Sequence, residues 1–114
     1  MGHRADYHLS FLTPEGLPHY GVEEKRVVGE MNDNISCQPF SFEYYRTWVL
    51  WESKWPQRDE ELRAFSKKHP DILFFFKVDF ADIEEWFHLY VLDGKIQKCL
   101  ATITYPPFNP DLLA

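Results

Sequence analysis

The amino-acid sequence predicts a single α+β domain over residues 1–114, an antiparallel sheet with one or two helices packed on one face. Three observations predict it. Residues 56–68 carry the charges and apolar spacing of a helix. The stretch that follows alternates with the period of a strand. Within that stretch stands Asp93-Gly94, a pair that matches the positive φ angles of a type I′ hairpin turn.

In chain order, residues 5–12 read as a strand, with Tyr7, Leu9 and Phe11 alternating against Asp6, His8 and Ser10. Two prolines and two glycines make 13–21 a loop. Residues 22–34 fit either a short helix around 23–28 or a strand around 25–31, and periodicity does not choose between them. Residues 40–52 are aromatic and β-branched and read as a strand, with a break near Tyr45 or Arg46. In the helix, Pro56 suits the first turn, Asp59, Glu60 and Glu61 sit at the positive end of the dipole, and Lys67 and Lys68 at the negative end. Trp55, Leu62 and Phe65 share its apolar side, and Asp59 can pair with Arg63 one turn on. His69-Pro70 stops it. Ile72, Phe74, Phe76, Val78 and Phe80 then form the core-facing set of a strand, a turn follows at 81–84, and strands are expected at 85–92 and from Lys95 to about Tyr105. The tail Pro106-Pro107-Phe108-Asn109-Pro110 cannot continue a sheet and is expected to lie across the surface.

The chain has 114 residues, the size of one hydrophobic core. It is 45% hydrophobic and 26% charged, a globular balance. Ten Phe, six Tyr and four Trp give more ring surface than a small core needs, which leaves rings for a partner. The net charge of −6 disfavours direct binding to a phosphate backbone and suits a basic protein surface instead. Cys37 and Cys99 are far apart in sequence and lack metal-ligand spacing; two isolated thiols suit a reducing compartment. With no apolar signal segment and no membrane-length run, a cytoplasmic location without a membrane partner is the expectation.

No dinucleotide fingerprint, phosphate loop, zinc-protease helix or calcium loop is present, and the five histidines are scattered, so neither cofactor nor metal is expected. The hairpin does predict a surface. A two-residue turn at Asp93-Gly94 pairs Phe87 with Leu100, Leu89 with Lys98 and Val91 with Ile96 on the face toward the helix. It pairs Trp86 with Ala101, His88 with Cys99 and Tyr90 with Gln97 on the other. Trp86, His88, Tyr90 and Gln97 are therefore candidate partner-binding residues, since Trp and Tyr dominate interface hot spots. The competing reading covers these rings with the N-terminal segment or the proline-rich tail. Asp79, Asp82, Glu84 and Glu85 stand beside the same strand and extend the candidate surface as an acidic rim. They disfavour base stacking. Together with Asp59, Glu60 and Glu61 they could imitate a phosphate track. His88 and Cys99 also invite comparison with a thiolate–imidazole pair, the basis of an alternative reading as a small ligand-binding domain or enzyme. Neither an orienting group nor an oxyanion site accompanies them.

Over residues 40–98 the sequence resembles the YubB-type ferredoxin-like small proteins of phages and plasmids. Lys54-Trp55, Glu61-Leu62, the run Phe65-Ser66-Lys67-Lys68-His69-Pro70-Asp71-Ile72-Leu73-Phe74, Trp86, Tyr90 and Asp93-Gly94-Lys95-Ile96-Gln97 carry the resemblance. It departs at Val78–Asp82, which lacks the glycine of the family's acidic loop, and at Pro56-Gln57. The resemblance implies a ferredoxin-like sheet and a mobile-element setting. It implies no reaction, because the family has no settled activity. In such a setting the expected function is a non-enzymatic inhibitor that contacts a host defence protein, as anti-CRISPR proteins do.

Overall fold

A sequence of alternating apolar residues on both sides of two amphipathic segments folds into one sheet with its helices on a single face. The computed structural model describes residues 4–44, 46–80, 85–101 and 106–113. Its elements are β1 (Ala5–Leu12), α1 (Glu24–Asn34), β2 (Ser41–Tyr44), β3 (Thr47–Ser53), α2 (Arg58–Ser66), β4 (Leu73–Phe80), β5 (Glu85–Leu92) and β6 (Lys95–Leu100). A short 3-10 turn at Pro110–Leu112 follows in the exposed tail.

The sheet has six strands in the order β2-β3-β1-β4-β5-β6, and every neighbouring pair is antiparallel. Six strands stand where a ferredoxin-like sheet has four. The link through α1 runs from β1 to β2 and passes over β3; the link through α2 runs from β3 to β4 and passes over β1. Tyr7, Leu9 and Phe11 of β1, Phe74, Phe76 and Val78 of β4, and Phe87, Leu89 and Val91 of β5 all point to the helices. They meet Val27, Val28 and Met31 of α1 and Leu62 and Phe65 of α2 in one core. Each such side chain taken from water contributes on the order of 1.5–3 kcal/mol.

The undecided segment at 22–34 is helical. Gly29, Asn32, Asp33 and Asn34 are weak helix formers, so local propensity does not select this state. Tertiary contacts do. Val27, Val28 and Met31 are buried on one side, Arg26 bridges Glu23 and Glu30 at 2.9 and 3.1 Å, and the Trp48 indole donates to Glu24 at 2.9 Å. The Asn32 amide pairs with both backbone groups of Phe40, accepting at 2.8 Å and donating at 3.1 Å, and so delivers the chain into β2.

Some boundaries differ from those the sequence predicts. The strand expected at 40–52 does break where the sequence places the break, with Arg46 at a φ of 61° in the connection, but the two pieces fold back as a hairpin, β2 and β3. The helix is shorter than 56–68, and Asp59 pairs with Arg58 at 2.9 Å rather than with Arg63. Among the described residues the last strand covers Lys95–Leu100, and the Ala101 N–H still donates to Trp86 at 2.9 Å. The turn expected at 81–84 and the strand end at 102–105 lie outside the described residues.

The β5–β6 hairpin has the predicted register throughout, from Leu92–Lys95 to Phe87–Leu100. Asp93 and Gly94 adopt φ values of 45° and 81°. The turn is also fastened to α2: the Gly94 N–H donates to Ser66 Oγ at 2.8 Å. A Cβ at Gly94 would stand 2.6 Å from Lys67 Cε. This clamp fixes where β5 and β6 present their outer face.

Candidate docking face

Because both helices cover one side, the other side of the sheet is left to its own residues. Cross-strand register arranges them in rows. Asp6, Asp79 and Trp86 form the first row, His8, Lys77 and His88 the second with Cys99 beyond, and Ser10, Phe75 and Tyr90 the third with Gln97 beyond. Trp86, His88 and Tyr90 thus lie where the hairpin register predicts. Trp86 is 39% exposed, His88 is exposed and Tyr90 half-buried.

The sequence reading missed four contributors to this face: His8, Trp51, Phe75 and Lys77. A bulge in β3 sets Trp51 and Glu52 against Asp6, with Glu52 at a φ of 47° and its N–H donating to Asp6 Oδ1 at 2.8 Å. Trp51 is 47% exposed. Its ring meets His8 edge-on at 5.6 Å. Phe75 stacks on Tyr90 at 5.0 Å and takes the His88 imidazole edge-on at 4.9 Å. Alternation within β4 already put Phe75 and Lys77 opposite the core-facing set. What the sequence lacked was a sign that β1 and β4 are neighbours.

Two shallow depressions flank Lys77. One, of about 530 Å³, is lined by His8, Lys77, Asp79, Trp86, His88 and Cys99 among others. The other, of about 580 Å³, is walled by Leu12, Pro18, Tyr20, Arg46, Phe75 and Lys77 among others. Arg46 stands over the Tyr20 ring at 5.0 Å and is held by Glu24 at 2.6 Å and by the His19 carbonyl at 2.7 Å.

The expected acidic rim divides. Asp79 belongs to the face, but Glu85 does not: it bonds Lys98 at 3.2 Å on the helix side, where the Lys98 ammonium lies 4.3 Å from the Phe87 ring centre. Asp82 and Glu84 lie outside the described residues. On the helix side Leu89 and Val91 are buried as predicted, whereas Leu100, at the end of β6 away from the turn that α2 holds, is 61% exposed.

His88 and Cys99 face each other in the register, yet no hydrogen bond joins them among the described residues. The imidazole is instead engaged with Phe75. Cys37, the other thiol, is half-buried, and burial pushes it up to about 11 in spite of an opposing hydrogen bond from Ser53. It is a protonated packing residue at neutral pH. Neither cysteine is in a disulfide. Among the described residues no three His, Cys, Asp or Glu side chains gather to hold a metal ion, and no helix is long and apolar enough to cross a membrane.

Fold and face together define a two-layer α+β protein with an uncovered, aromatic sheet surface. The chain matches no protein-family model, no curated protein and no solved structure.

Proposed function

We propose that this chain is a non-enzymatic binding protein and that its uncovered sheet face docks a protein partner. One observation carries the reading: Trp51 and Trp86 stand exposed at the two flanks of a continuous surface whose centre is His8, Lys77, His88, Phe75 and Tyr90. Large rings held on rigid strands lose little entropy on contact and are the residues that dominate interface energetics. The surface charge of the whole chain argues for a protein rather than a nucleic acid on this face.

The fold is read as a ferredoxin-like frame extended at one edge. What supports this is the order β2-β3-β1-β4 with two helical links that each pass over one strand, to which β5 and β6 are added. The likeness to YubB-type proteins of phages and plasmids adds a setting, in which a host defence protein is the first partner to test. Anti-CRISPR-like inhibition is the form this proposal takes.

Affinity capture from host lysate tests it, using the wild-type chain beside Trp86→Ala and Tyr90→Ala variants at low and at physiological salt. A stoichiometric partner is expected with the wild type and is lost with the variants. A partner held equally by all three would remove the sheet face from the proposal.

The second reading, a ligand-binding domain or enzyme using His88 and Cys99, draws on their register within the smaller depression. It requires Cys99→Ser and His88→Ala to abolish an activity while leaving stability unchanged. It ranks second because the imidazole packs against Phe75 rather than against the thiol.

A further inference from the structure

We propose that the end of this face around Asp6, Asp79 and Trp86 is a pocket for one arginine side chain of the protein partner, an inference that rests on the docking role proposed above. Asp6 and Asp79 stand directly opposite each other on neighbouring strands, an arrangement in which like charges repel. Asp79 Oδ1 is shut off from solvent and has no hydrogen-bond donor among the described residues. Native structures rarely leave such an atom unpaired. Asp79 is in turn directly opposite Trp86, and these two residues line the depression of about 530 Å³, with Asp6 beside it on the next strand.

A guanidinium answers all three features. Its charge offsets the two carboxylates, its planar fork donates to carboxylate oxygens in pairs, and its flat face stacks on an indole. A lysine ammonium supplies the charge but neither the fork nor the flat face. The next row limits the occupant to a single cation, because His8, Lys77 and His88 would meet the following charge of a basic run. Asp6 is already anchored by the Glu52 N–H, so Asp79 is the carboxylate left to turn toward the guest.

The test is a titration of isotopically labelled protein, followed by NMR at low salt, with N-acetyl-arginine amide. The neutral isostere N-acetyl-citrulline amide and N-acetyl-lysine amide serve as comparisons. Saturable shifts are expected at the Trp86 indole N–H and at the Asp6 and Asp79 amides. Binding should weaken at least about tenfold for citrulline and for Asp79→Asn, which retains the shape but loses the charge. Asp59→Asn removes the same charge from α2 and should change nothing. Trp86→Ala is a second, independent variant expected to weaken binding, and the dispersion of the same spectra reports whether each variant is folded. An equal response to citrulline, an unaltered response in Asp79→Asn, or shifts centred on residues 59–61 would overturn the pocket. Partner capture that depends on Trp86 and Tyr90 while the arginine titration stays flat would remove this inference and leave the docking face intact.

Discussion

At the scale of single residues, the apolar core is supplemented by side chains bonding to backbone groups that regular structure leaves unpaired. Ser66 is buried, and its hydroxyl accepts from the Gly94 N–H across from α2 to the hairpin turn. Ser66→Ala leaves that N–H without its acceptor, so a loss of about 1–2 kcal/mol is expected in urea denaturation. Gly94→Ala is costlier in kind, because its φ of 81° strains any side chain, whereas the Lys67 Cε that a Cβ would meet is the end of a flexible chain and can move aside. Cys37 gives a chemical test of burial. With its thiol pushed up to about 11, alkylation by iodoacetamide near pH 8 should run on the order of a hundredfold slower than for a free cysteine. Labelling that is as fast at Cys37 in the native chain as in the unfolded one would contradict its placement.

At the scale of elements, what could be read from sequence depended on whether a local signal existed. The β5–β6 hairpin was legible residue by residue because Asp93-Gly94 specifies both turn type and register. Helix α2 was legible from its acidic first turn and from Trp55, Leu62 and Phe65. Helix α1 was not, since Asn32, Glu24 and Glu30 are explained by Phe40, Trp48 and His69, partners that lie 8 to 39 positions away. The same long-range tie makes α1 sensitive to pH. His69 Nε2 lies 2.9 Å from Glu30 Oε2. The hydrogen bond from His69 is the main reason the Glu30 carboxyl sits below its ordinary value, with partial burial opposing and Arg26 assisting. As pH falls the unfolded chain takes up this proton first. The contribution is therefore complete above the ordinary carboxyl value of about 4.3 and is lost as pH drops through the lowered native value. Glu30→Gln should flatten the acid limb of the urea midpoint against pH; identical slopes in both proteins would dispose of the pair as a stabilising contact.

At the scale of the whole molecule, the decisive feature is that two helices cover one side of a six-stranded sheet while the other keeps rings in reach of solvent, Trp51 at 47% and Trp86 at 39% exposure. The sequence could place Trp86, His88 and Tyr90 on that side, because the hairpin relates them to Ala101, Cys99 and Gln97. It could not extend the face to His8, Trp51, Phe75 and Lys77, because that requires the pairing of β1 with β3 and β4 across long connections. The tryptophans allow stability and function to be separated. Trp55 is 6% exposed, meets Tyr7 and Phe40 edge-on at 5.4 and 6.0 Å, and donates its indole N–H to Glu61 at 2.7 Å. Replacing it by alanine should cost about 3–5 kcal/mol, the range for a buried large aromatic. Trp51 and Trp86 lie half outside, their ring and register contacts among the described residues being with strand neighbours, so alanine at either should cost about 1 kcal/mol or less. A docking face predicts the opposite order for binding: Trp51→Ala and Trp86→Ala lose the partner while unfolding near the wild-type midpoint. If either substitution instead lowered stability as much as Trp55→Ala does, the ring would be a core residue, and the uncovered face would lose that part of its claim to a partner.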